Sequence, residues 1–372
     1  MAVIMVLVPP LRFPEFTDEW TETSIGSVLT IGNGRDYKDL GHGDVPVFGT
    51  GGYMTSVNKF LLDGESVFIG RKGTINKPFY FNGKFWTVDT LFYTHSFKGI
   101  LPKFVLSIFE NIDWLKYNEA SGVPSLSKST IEKIIICIPR IIEQQKISDF
   151  IDLLNHRIEL QSKLIEQLQS LMGGIMVAHY NKCKKQVVQI KELGDYFTVM
   201  NLSKDNLTDE GNDCVLYGEL FTTYHCTISE IKSKTNLTTG LTFSQSNDLL
   251  FPSSTTVDAV SLIAPSAITV PNVVLGGDMF GLHINERYSN VYLAFLFNYI
   301  LKQRLAKYAQ GSTIIHLHFN DICNAKIEVP NLTDQITFVE LSSKVQQKIA
   351  TEISMLANLQ ALKSYLLQQM FI

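Results

Sequence analysis

Residues 138–147 read Ile-Pro-Arg-Ile-Ile-Glu-Gln-Gln-Lys-Ile, and residues 329–338 read Val-Pro-Asn-Leu-Thr-Asp-Gln-Ile-Thr-Phe. Each closes an apolar run with a proline, continues through a carboxylate and a glutamine, and opens an apolar-periodic segment. Proline disfavours helix at the residue before it, so Pro139 and Pro330 punctuate two helix starts. Thr333 and Asp334 offer capping chemistry for the second helix. The stretches lie 191 residues apart, from Pro139 to Pro330. A second match, Ser24–Thr30 against Glu192–Thr198, has an offset of 168. The chain therefore reads as one unit used twice, the second copy carrying about 23 extra residues in its middle.

Outward from these starts run two long helices. The first is expected over 143–179, with a stripe at Ile147, Ile151, Leu154, Ile158, Gln161, Ile165, Leu168, Met172 and Ile175. Its alternating spacing of 4 and 3 fits a coiled-coil seam. The second is expected over 333–370, with Phe338, Leu341, Val345, Ile349, Ile353, Leu356, Leu359, Leu366 and Met370. Ser342 and Lys363 occupy two further seam positions. Gln161 and its repeat equivalent Glu352 put a polar residue near each midpoint, where antiparallel pairing would bring them together and fix register. A helix of about 37 residues extends about 55 Å, which suits a spacer. The expected fold class is α+β: two α/β domains in tandem pseudo-repeat, separated by two long antiparallel coiled-coil helices. The expected segments are 1–142, 143–182, 183–332 and 333–372.

The chain has 372 residues, 45% hydrophobic and 18% charged, a composition for folding rather than disorder. The net charge of −4 excludes a histone-like chain and weighs against a simple polyanion clamp. Met1–Val8 is apolar but too short to span a bilayer and is expected as a short strand or arm. No run reaches 18 apolar residues, so no membrane helix is expected. Cys137, Cys183, Cys214, Cys226 and Cys323 form no CxxC pair and read as free thiols of a reducing cytoplasm. His225 beside Cys226, and His316 with His318, lack a second ligand pair, so no metal is expected.

The first globular region contains Val47–Met54 (VFGTGGYM), Ile69–Thr74 (IGRKGT), Lys77 and Phe85–Tyr93 (FWTVDTLFY). Gly49–Gly52 lacks the lysine ending of a phosphate loop. Arg71-Lys72 between glycines is the stronger candidate, because glycine permits close backbone approach and two cations there can meet phosphates or base edges. A solvated hairpin turn is the plain alternative. In the second region Tyr217–Leu220 stands against Phe48–Gly51, Asp248–Thr256 against Glu65–Gly73, and Gly277–Phe280 against Val88–Leu91. The tip is thus Ser-Ser-Thr-Thr, with Lys232 and Lys234 as its nearby cations. Between Asn201 and Val260 there are three lysines against eight acidic residues. Asp89 and Asp278 read as a framework pair bonding backbone N–H groups. No GxSxG, HExxH, [ND]PP[YF] or Walker A motif occurs.

These stretches, with Gly122–Ser127 leading to Ile138-Pro139 and Glu143–Ile147, and Gly311–Thr313 leading to Val329-Pro330, resemble the specificity subunit of type I restriction–modification systems. The resemblance covers nearly the whole chain. It implies two target-recognition domains, each reading one half of a bipartite, asymmetric double-stranded DNA site. It implies helices that set the gap and dock two methyltransferase subunits, with motor–nuclease subunits joining. It implies a bacterial cytoplasmic protein without its own active site or cofactor. S-adenosylmethionine and ATP with Mg would sit in the partner subunits of this restriction endonuclease and adenine-specific methyltransferase complex. The implied DNA-contacting residues are Thr50, Gly51, Gly52, Tyr53, Arg71, Lys72, Gly73, Thr74, Lys77, Tyr217, Lys232, Lys234, Ser253, Ser254, Thr255 and Thr256. The helix–helix and partner interface would use Ile147, Ile151, Leu154, Ile158, Gln161, Ile165, Leu168, Met172, Val345, Ile349, Glu352, Leu356, Leu359 and Leu366. The competing readings are an enzyme with a site between its domains, and a coiled-coil adaptor whose globular regions bind protein.

Overall fold

A computed structural model describes residues 7–199 and 202–372. The arm expected at Met1–Val8 therefore lies mostly outside the described residues; Leu7 accepts a backbone hydrogen bond from Trp20. The chain divides into two compact units, Met1–Lys163 with Ile353–Ile372, and Leu164–Glu352.

In unit one, strands β1 (Thr21–Ser24), β2 (Thr30–Asn33), β3 (His42–Gly49), β4 (Gly52–Val57), β5 (Leu62–Gly70), β6 (Phe79–Thr87) and β7 (Leu91–His95) precede helix α1 (Pro102–Asn111). Six strands form one sheet in the order β2-β7-β5-β6-β3-β4. β1 pairs instead with β8 (Ile135–Ile138), which leads into the long helix α2 (Ile141–Lys182). The core holds Val67 and Ile69 from alternate positions of β5, Phe104 and Phe109 from the inner face of α1, and Trp20 and Trp114 from the segments before β1 and after α1.

Unit two repeats this scheme. β9 (Lys185–Gln189) pairs with a strand beside the second long helix, and β10 (Gly194–Thr198) begins a five-stranded sheet. A second five-stranded sheet contains β11 (Leu207–Thr208), β12 (Asn212–Leu216), β14 (Ser233–Thr235), β15 (Thr242–Phe243) and β19 (Val274–Gly276). The first contains β13 (Thr227–Ile228), β16 (Asp248–Pro252), β18 (Ser266–Ile268) and β20 (Met279–Ile284), in the order β10-β20-β16-β18-β13. β17 (Ser254–Thr255) pairs with β21 (Ile315–His316), and β22 (Lys326–Pro330) pairs with β9. Helix α3 is Asn290–Leu296, and α4 is Leu332–Met370.

The hydrogen-bond registers fix which residues are equivalent. Ser24 pairs with Ile135, and Gln189 with Lys326. The copies therefore begin at an offset of 165 (Ser24 to Gln189), not the expected 168; the glycines Gly26 and Gly194 matched by chance. At the far end the offset of 191 holds, and its glutamines explain the motif. The Gln144 side chain donates to Pro139 O at 2.9 Å, and that of Gln335 to Pro330 O at 2.8 Å. Each also accepts a backbone N–H, from Leu101 or Ser289, the residue just before α1 or α3. One buried amide thus ties the start of each long helix to the start of a short one. Burial leaves such groups costly unless paired, which is why glutamine recurs here.

Both long helices are divided between the units, as are the expected segments 143–182 and 333–372. In unit one, Ile147 and Ile151 near the start of α2 share a core with Leu366, Leu367 and Met370 near the end of α4. In unit two, Met172, Met176 and Tyr180 share a core with Phe338, and Val345 packs against it. The α2 stripe is buried or half-buried at every expected position. The α4 stripe needs correction: Leu341 is 57% exposed while Ser342 is fully buried, and Ile353 is exposed while Glu352 is buried. The spacing of 4 and 3 is kept through the polar residues, and the two apolar ones lie off it. Gln161 is buried as well. The cap of α4 is Asn331, whose Oδ1 accepts Asp334 N at 3.0 Å, rather than Thr333. All five cysteines are free.

Candidate nucleic-acid interface

β5 ends at Gly70, and a Cβ there would collide with Thr74 O, so the chain can turn tightly only with glycine. The turn is held mainly through backbone. Arg71 N and Lys72 N donate to Thr90 O at 2.7 and 3.2 Å, Gly73 N to Pro124 O at 2.9 Å, and Leu126 N to Arg71 O at 2.9 Å. Gly73 has φ +87°. Because the backbone is satisfied internally, the side chains of Arg71 and Lys72 are left exposed. The Arg71 guanidinium lies over the Phe92 ring at 5.9 Å and donates to Asp89 O at 3.4 Å.

The β3–β4 turn approaches the same place: a Cβ on Gly73 would lie 3.8 Å from Thr50 Oγ1. The structure therefore brings Thr50–Tyr53 and Arg71–Thr74 together, with Tyr53 63% exposed. Lys77 is exposed beyond them. Arg35, not anticipated from sequence, is exposed on this edge, its N–H donating to Thr87 O at 2.8 Å. Its signal was weak, a lone cation after Gly34 in a variable loop. Among the described residues no carboxylate stands within 4.0 Å of Arg35, Arg71, Lys72 or Lys77, as the ion pairs lie elsewhere. These charges are free to meet an external anion.

In the second copy Ser253 N donates to Asp278 O at 2.8 Å and Leu317 N to Ser253 O at 2.9 Å. Ser254 pairs with His316 and Thr255 with Ile315. Arg71 thus corresponds to Ser253, and Leu126 to Leu317. Ser253 and Ser254 are buried, at 5% and 8% exposure, so of the four tip residues only Thr255 and Thr256 reach outward. Lys232 and Lys234 are exposed, but Lys234 lies on β14, opposite Asp213 of β12 in the other sheet. Tyr217 is half-buried, its N–H on Gly276 O. A cleft of about 500 Å³ opens beside Thr255, lined also by Leu220, His225, Tyr299 and Lys302. The π-helical turn Phe297–Leu301 carries Tyr299 into its wall.

Asp89 and Asp278 are not a framework pair. Gly70 faces Leu91 and Pro252 faces Met279, which makes Asp278 equivalent to Thr90. What repeats is a main-chain oxygen accepting from the tip, from Thr90 in one copy and Asp278 in the other. Among the described residues no three His, Cys, Asp or Glu side chains gather as a metal site, and no helix is long and apolar enough to cross a membrane.

The geometry is that of a duplicated helix-and-sheet protein whose backbone-fixed tip holds unpaired cations outward. Residues 17–170 match the family model described as the type I restriction modification DNA specificity domain. Its fold is similar to that of the S subunit of a type I restriction–modification system from M. genitalium. The TM-score is 0.61 at 14% identity, covering 98% of this chain and 99% of that one. A structure described as the basis of complex assembly and conformational transition of the type I R-M system matches at TM-score 0.50 and 14% identity. It covers 96% of this chain and 98% of that one. Among curated proteins none matches significantly by sequence. The resemblance to type I specificity subunits thus holds by sequence over the first copy and by fold over nearly the whole chain.

Proposed function

We propose that this chain is the DNA-recognition subunit of a type I restriction–modification complex, itself without catalysis. Each globular region, 1–142 and 183–332, reads one half of a bipartite site. The helical segments 143–182 and 333–372 set the gap and dock two methyltransferase subunits; motor–nuclease subunits complete the assembly. The observation that carries this is the glycine-bounded tip, where Arg71, Lys72 and the neighbouring Arg35 have no acidic partner. Phosphate and base-edge contacts need such cations, presented without internal neutralisation.

The test is a salt series of duplex-DNA binding by the chain assembled with its methyltransferase subunits. Affinity should fall linearly in logarithmic salt. Arg71→Ala and Lys72→Ala should each cost about 1–3 kcal/mol of binding and reduce that slope. Binding by the double variant equal to the parent would remove these residues from the interface.

Exposed Leu153, Leu160 and Leu171 on α2, and Leu362 and Tyr365 on α4, supply apolar surface for protein docking. They also keep an adaptor reading in play; indifference to DNA at every salt concentration would favour it. Insertion of four residues after Ile158 should lengthen the preferred gap by about 6 Å, roughly two base pairs, unless the accompanying rotation abolishes binding. A methylated motif with an unchanged gap would count against the spacer.

A further inference from the structure

We infer that His316, supported by His318, is the DNA-contacting side chain of the second copy, in the place that Arg71 and Lys72 hold in the first. This rests on the DNA-reading function proposed above. The argument starts from hydrogen-bond equivalence. In each copy the tip is a two-stranded crossing, Arg71-Lys72 against Ser125 in the first and Ser253-Ser254 against His316 in the second. In the first copy the long cationic side chains are on the leading strand, and the returning strand offers only Ser125. In the second copy the sizes are exchanged. The serines are buried, and the returning strand carries the large polar side chain.

His316 is half-exposed and His318 exposed, with their rings parallel at 6.1 Å and an interplanar angle of 12°. Alternation along an extended segment accounts for this: Leu317 turns into the core while its two neighbours turn outward. Among the described residues neither imidazole has a carboxylate partner; His318 is the N-cap of the helical turn Phe319–Ile322, in a capping box where Asp321 Oδ2 accepts the backbone N–H of His318 at 2.7 Å and the His318 side chain accepts the Asp321 backbone N–H. An imidazole can both donate to and accept from a base edge, whereas a lysine can only donate, so a histidine can serve in base discrimination here.

The acidic character of this copy does not oppose the assignment, because the charge is segregated. Six of the eight acidic residues between 201 and 260 precede Ile231, on or beside the sheet of β11, β12 and β14. Asp248 is buried on His283 at 2.5 Å, and Asp258 caps a helical turn. The cleft beside Thr255 contains Lys302 and His225 and no carboxylate.

The experiment reads adenine methylation across the genome of the native host, carrying the full chain or its variants with the resident methyltransferase. His316→Ala should slow methylation about fivefold or more, or relax the motif, in one half-site only. Arg71→Ala should act on the other half. His316→Gln, which keeps size and hydrogen bonding, should change base preference in the same half as His316→Ala and serves if the alanine variant fails to fold. A folded His316 variant with the parental motif and rate overturns the assignment, as does an effect in the half-site governed by Arg71. If deleting the chain leaves every methylated motif in place, the DNA-reading function itself fails.

Discussion

Deleting Leu366–Ile372 should unfold the first unit while leaving the second with a cooperative transition. Leu366, Leu367, Met370 and Phe371 are buried in the core of unit one. Phe371 meets Trp20 and Phe104 at 6.1 and 5.3 Å between ring centroids. Removing a buried side chain of this size costs about 2–5 kcal/mol. Four together, about 8–20 kcal/mol, match or exceed the net stability of about 5–15 kcal/mol typical of a domain. Leu11 N would also lose its bond to Gln369 O. Scanning calorimetry on the truncated chain should show one transition where the parent shows two, and proteolysis should fall within 12–140. Two intact transitions would contradict the role given to the end of α4.

Glu143→Ala should destabilise the same unit by about 3–5 kcal/mol, far more than an ordinary surface ion pair would. Both Glu143 oxygens accept from Arg12, at 2.7 Å each, and one also accepts from Trp20 Nε1 at 3.3 Å. Both charged side chains are buried. Hydrogen bonding to Glu143 holds the Arg12 guanidinium above its usual pKa range. Alanine leaves that cation without its hydrogen-bonded counter-charge, with only the weaker influence of Asp18 remaining, and the cost is mostly this stranding. Combining Glu143→Ala with Arg12→Met should recover most of the loss. Denaturant unfolding decides the matter: a single variant within about 1 kcal/mol of the parent would show that water replaces the carboxylate.

The junctions were legible because they carry chemistry with fixed spacing. Pro139 and Gln144, and Pro330 and Gln335, are bonded within each copy, so their separation cannot drift. The front of the repeat was less legible. Ser24–Thr30 and Glu192–Thr198 look alike, yet pairing with β8 and β22 sets the true offset three residues away. Strand pairing is a property of two segments, and one segment does not state it. The same reason hid His316. Nothing near 316 marks it as a tip residue until β21 is laid against β17. Ser253 and Ser254 misled in the opposite sense, since a polar Ser-Ser-Thr-Thr run reads as surface, whereas the crossing of β21 covers its first half. In the first copy the exposed turn was legible, because Gly70 and Gly73 flank Arg71 and Lys72 and glycine spacing is visible in one strand alone.

The division of α4 between the units bears on how the chain is made. Most of unit one, up to Lys163, is made before unit two, yet its core includes Leu366–Phe371, made after it. At roughly 5–20 residues per second, the interval from Lys163 to Ile353 takes about 10–40 s. Throughout it, Trp20 and Phe104 lack the cover that Phe371 provides. Unit two is contiguous in the chain and can close as soon as Glu352 emerges. Unit two can therefore close before unit one, whose core stays incomplete until Leu366–Phe371 emerges. Chaperone occupancy during translation should be heaviest there, on the unit-one segment made before unit two.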